Sequence, residues 1–496
     1  MDALPPQPLK RGLVDLAGST PRSAQLTTEL LHKDFLEHHC YFNDAFFHDH
    51  LAHHLLAVHD LGGSEKDIQR VFDLDVGMQR PLEHGKKGDG VAVTEENWRD
   101  ALGERHSGRY SDYIAFFSAR IAKDGVARTL EKYLFSPEAN GNGVLMLARF
   151  FGGAIHPIIQ TGYGVEFGQD SMVAQGLALA VLTTPEGASL MEPSGLPEIA
   201  AQPAQDNPTP SLISLFNSLT ALPAFTPIPT ADLVMAPRPD GDVVTSFVAL
   251  IKWVKDHPAH TDAIRATYTR WRFGLSDADL ERKADECLWQ AVLLLGGSVA
   301  RSGAGAGGTK SESPPVPKMD FFLMHLLTSA LTLRPLLSIL QKAEHKAQLL
   351  TMYARTAALV YLIRGSPKVD CARAMAYRLV PQTLAARIGD AASVEDAWRP
   401  ILENARLHTE AHVPKAIRAL YYCTQRFGSL PAGFLCSSSG GDEQGMMSGA
   451  ERVDGSVFLR VAGAMSDALG WPLYDGQKSE RDWDFSGYWD QEKAKF

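Results

Sequence analysis

Long apolar runs are missing from this 496-residue chain, and so are the motifs that most quickly betray an enzyme class. No stretch of eighteen consecutive apolar residues occurs, which excludes a simple membrane-spanning helix. The first fifteen residues, MDALPPQPLKRGLVD, hold no apolar core of a secretory signal. Cysteine is scarce: Cys40, Cys287, Cys371, Cys423 and Cys436 are scattered, odd in number and never in CxxC spacing. That pattern disfavours a disulfide framework or thiolate zinc site and points to the cytoplasm or another reducing intracellular compartment. Positive charge is also short: the formal net charge of −10 argues against a nucleic-acid partner bound through its phosphates.

Strand signals are few. Apolar residues at three- and four-residue spacing run from Arg109 to Leu134, with Gly125 as a joint. Similar patterns cover Asp242 to Lys255, Ser276 to Leu295, Met319 to Leu340 and Lys342 to Ile363. The expectation is a mainly α fold, one large helical domain over residues 1–496 with long Pro/Gly-rich surface loops. Those loops are placed at 186–211, 302–317 and 437–450 by their proline, glycine and small polar residues.

Nucleotide motifs fail on inspection. Gly303, Gly305 and Gly308 satisfy GxGxxG formally, but Pro314, Pro315 and Pro317 follow where a phosphate-binding helix would have to begin. Thr309-Lys310 reverses the order that a P-loop needs. HExxH is absent, which removes the metalloprotease reading.

Histidine, by contrast, is abundant and unevenly placed. Eight of the 17 lie between His32 and His59, where even spacing would put about one. The densest piece is Phe46-Phe47-His48-Asp49-His50-Leu51-Ala52-His53-His54-Leu55-Leu56. On a helix His50 and His54 are separated by about 40° and His50 and His53 by about 60°, so two imidazoles can meet one ion or one substrate. An exposed, solvated face suits His32, His38, His39 and His59 instead. Three further histidines stand in apolar surroundings. His156 follows the glycine pair of Phe150-Phe151-Gly152-Gly153-Ala154-Ile155 and precedes Gln160-Thr161-Gly162-Tyr163-Gly164-Val165-Glu166-Phe167. His325 interrupts the apolar run Met319–Ser329. His412 lies in His408-Thr-Glu-Ala-His412-Val-Pro-Lys415, where Pro414 either breaks a helix or opens one.

Imidazoles without thiolates suit iron, copper or zinc. Asp49 and Glu166 are the acids nearest in sequence for a two-His-one-carboxylate site. Lys415, if held neutral in an apolar site, offers a carbamate oxygen as a further ligand.

The ordered series FHDHLAHHLLAVHDLGGS, GGAIHPIIQTGYGVEFG, MDFFLMHLLTSALTL and HTEAHVPKAIRAL, with TEENWRDALGERHSGRYSDYIAFF and LVYLIRGSP between, resembles the questin oxidase-like family of fungal polyketide-pathway oxidoreductases. The likeness covers roughly residues 40–425, with 302–317 standing as an insertion. It implies oxygen-dependent cleavage of a ring in an anthraquinone or related polyphenolic polyketide, by Baeyer–Villiger-type or dioxygenase chemistry. Molecular oxygen is the implied co-substrate, and NADPH the reductant used by some members, although no nicotinamide site is legible here. Carried over by motif, His50, His54, His156, His325, His412 and Lys415 are expected to hold non-haem iron. His53 or Tyr163 would take a phenolic proton, and Glu166 would orient a ligand. Asp49 departs from the asparagine that the family pattern often has. Two alternatives stay open: metal-free Baeyer–Villiger oxygenation at the same residues, and a non-catalytic helical scaffold whose histidines share no chemistry.

Overall fold

A computed structural model describes residues 4–83, 92–104, 108–199, 210–237, 243–298, 300–302, 316–381, 384–385, 394–437, 447–475 and 482–489. The fold is mainly α. Among the described residues the strands form two short antiparallel ribbons, Met235–Pro237 with Val243–Thr245 and Ala300–Ser302 with Val316–Lys318. The chain divides into two compact units. The first comprises Met1–Gln202, Arg272–Ala284 and Thr328–Thr356, the second Pro203–Trp271, Asp285–Leu327 and Ala357–Phe496.

In the first unit six helices carry the argument: α1 Pro21–Glu37, α2 Leu51–Asp60, α3 Glu65–Asp75, α4 Tyr110–Asp124, α5 His156–Phe167 and α6 Asp170–Leu182. Thr20 starts α1 through a reciprocal capping box with Ser23, and Pro21 sits where its missing N–H costs nothing. Ser64 and Asp67 cap α3 in the same way. α2 is buried on nearly every side, as its apolar and histidine-rich sequence requires. Leu51, Leu55, Leu56 and Val58 pack with Leu30 and Leu31 of α1, Ile68 and Phe72 of α3, and Ile159 and Phe167 of α5. α5 and α6 approach so closely that a Cβ at Gly176 would lie 2.1 Å from the Thr161 hydroxyl.

The second unit is organised by α7 Phe247–Asp256, α8 Phe321–Ile339, whose first turns belong here, α9 Val394–Leu407, α10 His412–Phe427 and α11 Val457–Leu469. The helix expected from Asp242 begins only at Phe247: residues 243–245 form a strand instead. β-branched Val244 and Thr245 favour the extended backbone, and the Ser246 hydroxyl then accepts the Ala249 N–H to start α7. α8 is the one described helix long and apolar enough to cross a membrane, yet 78% of that stretch is buried inside the protein, as in a core helix.

The loop expectations meet a mixed outcome. Residues 200–209, 303–315 and 438–446 lie outside the described residues. The described part of 186–211 is held firmly: Leu190 and Met191 are buried, and Glu192 makes a two-point ion pair with the buried Arg355.

Candidate active site

In the first unit, the sequence around His156 builds an unusual turn. Gly153, Ala154 and Ile155 have φ of 57°, 50° and 67° in succession. Only glycine adopts this region freely, so Ala154 and above all β-branched Ile155 are strained, a condition that concentrates at functional sites. The Gly153 N–H donates to the Glu186 carboxylate at 2.9 Å, fixing the turn from outside. His156 then opens α5, and its Nδ1 donates to the Gly153 carbonyl at 2.8 Å, which leaves Nε2 as the lone-pair nitrogen.

Three more imidazoles gather around His156. The His48 ring stacks on His156 with centroids 3.8 Å apart and planes within 6°. His50 lies 5.0 Å from His156 at 21°, and His53 lies 5.9 Å from His50. Tyr163 packs its ring against His53 at 5.1 Å. His54, one residue on, has its Nδ1 held by Asp75 of α3 at 2.8 Å, with both groups buried. Glu166 anchors the N-terminal segment through one of its oxygens. Its Oε1 accepts the Leu13 N–H at 2.7 Å, and Asp60 accepts those of Val14 and Asp15, tying the N-terminal segment down.

His48, His53 and His156 line a cavity of about 20 Å³ together with Asp34, Cys40, Asp49, Tyr110, Gln160 and Gln175. That is room for one water-sized molecule. Its most distinctive groups are two carboxyls. Asp34 and Asp49 are hydrogen-bonded to each other. Burial raises the Asp34 pKa to about 7, and burial together with the Asp34 charge raises Asp49 well above the carboxylate range. Two acids sharing a dry site cannot both ionise, so the pair retains a proton at neutral pH. His38 contacts Asp34 at 2.8 Å, but burial holds its imidazole below the usual pKa, so the contact at pH 7 is a hydrogen bond within a near-neutral cluster rather than a full ion pair. The Cys40 thiol and the Tyr110 phenol, hydrogen-bonded to each other, are likewise pushed up by burial.

The second unit holds its own histidine pair. Asp320 caps α8 by accepting the Phe322 and Leu323 N–H groups at 2.9 Å, and its other oxygen takes the Arg364 guanidinium at 2.7 Å. One turn later His325 donates from Nδ1 to the Phe321 carbonyl at 2.8 Å. The His412 ring is 4.9 Å from His325, and Phe321 presents its edge to both. His412 Nδ1 lies 2.5 Å from Glu410 Oε1. Both histidines therefore direct Nε2 away from a tethered Nδ1, the arrangement typical of imidazoles that bind metals or accept protons. The helix runs Pro414 in its first turn, where no backbone bond is lost. Lys415 sits on the same helix, buried. His408 falls outside it, between α9 and α10, and bonds to the Leu469 carbonyl and the Glu410 N–H.

Comparison with known proteins decides the relationship. The profile of the questin oxidase-like family matches residues 47–420. The chain belongs to that family. Among its relatives, a questin oxidase of Aspergillus fumigatus is 27% identical over 462 residues, 91% of this chain and 90% of the relative. The Baeyer–Villiger oxidase AgnL3 of Paecilomyces divaricatus is 27% identical over 422 residues, 83% and 81% of the two chains. The oxidoreductase AflY of Aspergillus parasiticus is 24% identical over 415 residues, 82% and 74%.

Reading the sequence alone overlooks several members of this questin oxidase-like site. Asp34 in the last turn of α1 and His38, which caps that helix, stand four apart, and that spacing was the available signal. His38 is buried, not exposed as the crowded-surface reading expects. Cys40, Tyr110, Gln160 and Gln175 carry no motif. Glu410, two residues before His412, holds its Nδ1.

Proposed function

We propose that this member of the questin oxidase-like family is an oxygen-dependent oxidoreductase that cleaves a ring of an anthraquinone or related polyphenolic polyketide in secondary metabolism. The observation that carries the reading is the first unit's cavity, where His48, His53 and His156 meet a proton-holding acid pair in space for a water-sized molecule. The printed names of the relatives, a questin oxidase and a Baeyer–Villiger oxidase, supply the reaction class.

His53, backed by Tyr163, is the proposed base for a phenolic proton. The resulting anion gives up electrons readily to oxygen. A substrate arriving as a hydroquinone brings two electrons, so one oxygen atom enters the ring and the other leaves as water. NADPH would act in forming that hydroquinone. The carboxyl shared by Asp34 and Asp49 holds the proton that the departing oxygen needs.

The donor set fits non-haem iron. Imidazoles dominate it, and Nδ1 of His156, His325 and His412 is each bound to a protein oxygen. His50 and His156 are the residues of the first unit that would hold iron, and His325, His412 and Lys415 are the candidates of the second. Bound iron would supply electron exchange with oxygen and Lewis acidity. The acid pair favours a second reading, metal-free Baeyer–Villiger oxygenation, because a protonated carboxyl is a proton donor and a poor metal ligand. Five free thiols suit a reducing intracellular compartment, which we propose as the location.

Oxygen uptake with a panel of anthraquinols, before and after chelation and with metal content measured on the same sample, separates the readings. Loss of uptake on chelation, restored by Fe²⁺, is expected. Full activity without metal would leave the metal-free route standing. His156→Ala and His325→Ala are each expected to abolish uptake in folded protein. Retained uptake in both would overturn the site.

A further inference from the structure

The family profile ends at residue 420, but the last described segment, Asp482–Trp489, reaches back into the second unit's histidine pair. It is attached at the start of α8 and just ahead of α10, the helices that carry those histidines. Asp484 pairs with the start of α8: the Phe321 N–H donates to its carbonyl at 3.0 Å, and its own N–H donates to the Met319 carbonyl at 2.8 Å. Phe485 stacks on Phe321 at 4.2 Å, and its carbonyl accepts from Arg364 at 2.9 Å. Trp483, buried, donates its indole N–H to Glu410 Oε2 at 2.7 Å.

Glu410 is where the strap meets the chemistry. One carboxylate oxygen takes the Trp483 indole and the other lies on His412 Nδ1, while the His412 backbone N–H reaches both at 3.1–3.2 Å. The Glu410 side chain is 30% exposed. A glutamate that open to water would rotate freely, loosening its grip on the imidazole. The indole bond removes that freedom: with both oxygens engaged, the carboxylate plane is set, and so is the direction of His412 Nε2. Carboxylate–histidine contacts of this kind hold functional imidazoles, and breaking them typically costs 10–100-fold in activity.

We propose that Glu410 and Trp483 are positioning residues for His412, and that the Asp482–Trp489 strap is part of the site rather than a tail. What His412 is used for rests on the oxygenase reading above. How it is held does not.

The test uses the full chain labelled with ¹⁵N-histidine, His412 being assigned by the signal missing in H412N. In the wild type a hydrogen-bonded Nδ1–H of His412 is expected. Glu410→Gln should shift that signal strongly, and Trp483→Phe, which keeps the ring and loses the donor, should broaden it through exchange. Melting temperature should stay nearly unchanged in both. With an active substrate, kcat should fall 10–100-fold with KM within threefold, and Trp483→His, which restores an N–H donor, should recover part of it. An unchanged His412 ring signal in Trp483→Phe overturns the relay, as does a signal lost only when the protein melts. A wild type with the expected ring signals but no oxygen uptake counts against the oxygenase reading and leaves the relay standing.

Discussion

The acid pair makes a quantitative statement about stability. In the unfolded chain Asp34 titrates near its ordinary value of 3.8, whereas in the fold burial holds the proton to about 7. Between those values the native state binds the extra proton. Stability contributed by the neutral pair is therefore fully present below about pH 4 and is lost as pH rises through about 7. Each pH unit in that window corresponds to about 1.4 kcal/mol per group, so a shift of about three units is worth on the order of 4 kcal/mol for Asp34. Asp49 moves in the same direction, and the two titrate as one system. Asparagine is the neutral isostere. Asp34→Asn should match the wild type near pH 4 and exceed it by on the order of 4 kcal/mol at pH 8, and Asp49→Asn should shift in the same direction. Urea unfolding from pH 4 to 8, with hydrogen exchange of α1 and α2 peptides as the local probe, measures the difference. Parallel curves for wild type and both variants would refute the shared proton.

His54→Leu should destabilise the first unit by about 1–3 kcal/mol, because Asp75 loses its buried partner. Oxygen uptake per folded molecule should survive, which separates His54 from His156 by urea midpoint against turnover. Ala154→Gly relieves a left-handed residue at φ 50° and should raise stability by about 1 kcal/mol in a melting experiment, since glycine adopts that conformation without the Cβ clash. A fall in stability would mean that the turn is not strained.

Much of the site's outline was readable in one dimension. Apolar spacing marked the long helices within a few residues, and the four isolated or clustered histidine blocks could be picked out by setting: paired glycines before His156, an apolar run around His325, a proline after His412. Helix geometry could state that His50 is near both His53 and His54. It could not choose between them. The tertiary structure gives each its own setting: Asp75 of α3 holds Nδ1 of His54, and Tyr163 of α5 packs against the His53 ring. Residues 243–245 escaped the helical reading because apolar side chains in a short run fit either period, and β-branching with ribbon pairing decided it.

Composition and periodicity thus determined the class of fold and drew attention to histidine without thiolate, because both depend on local pattern and on side-chain chemistry that travels with the residue. Which groups share a cavity depends on contacts between helices far apart in sequence. Asp34 on α1, Asp49 before α2, Tyr110 on α4 and Gln175 on α6 meet only after the apolar faces have packed. So does the protonation of the acid pair. Burial creates it, and burial belongs to the tertiary structure.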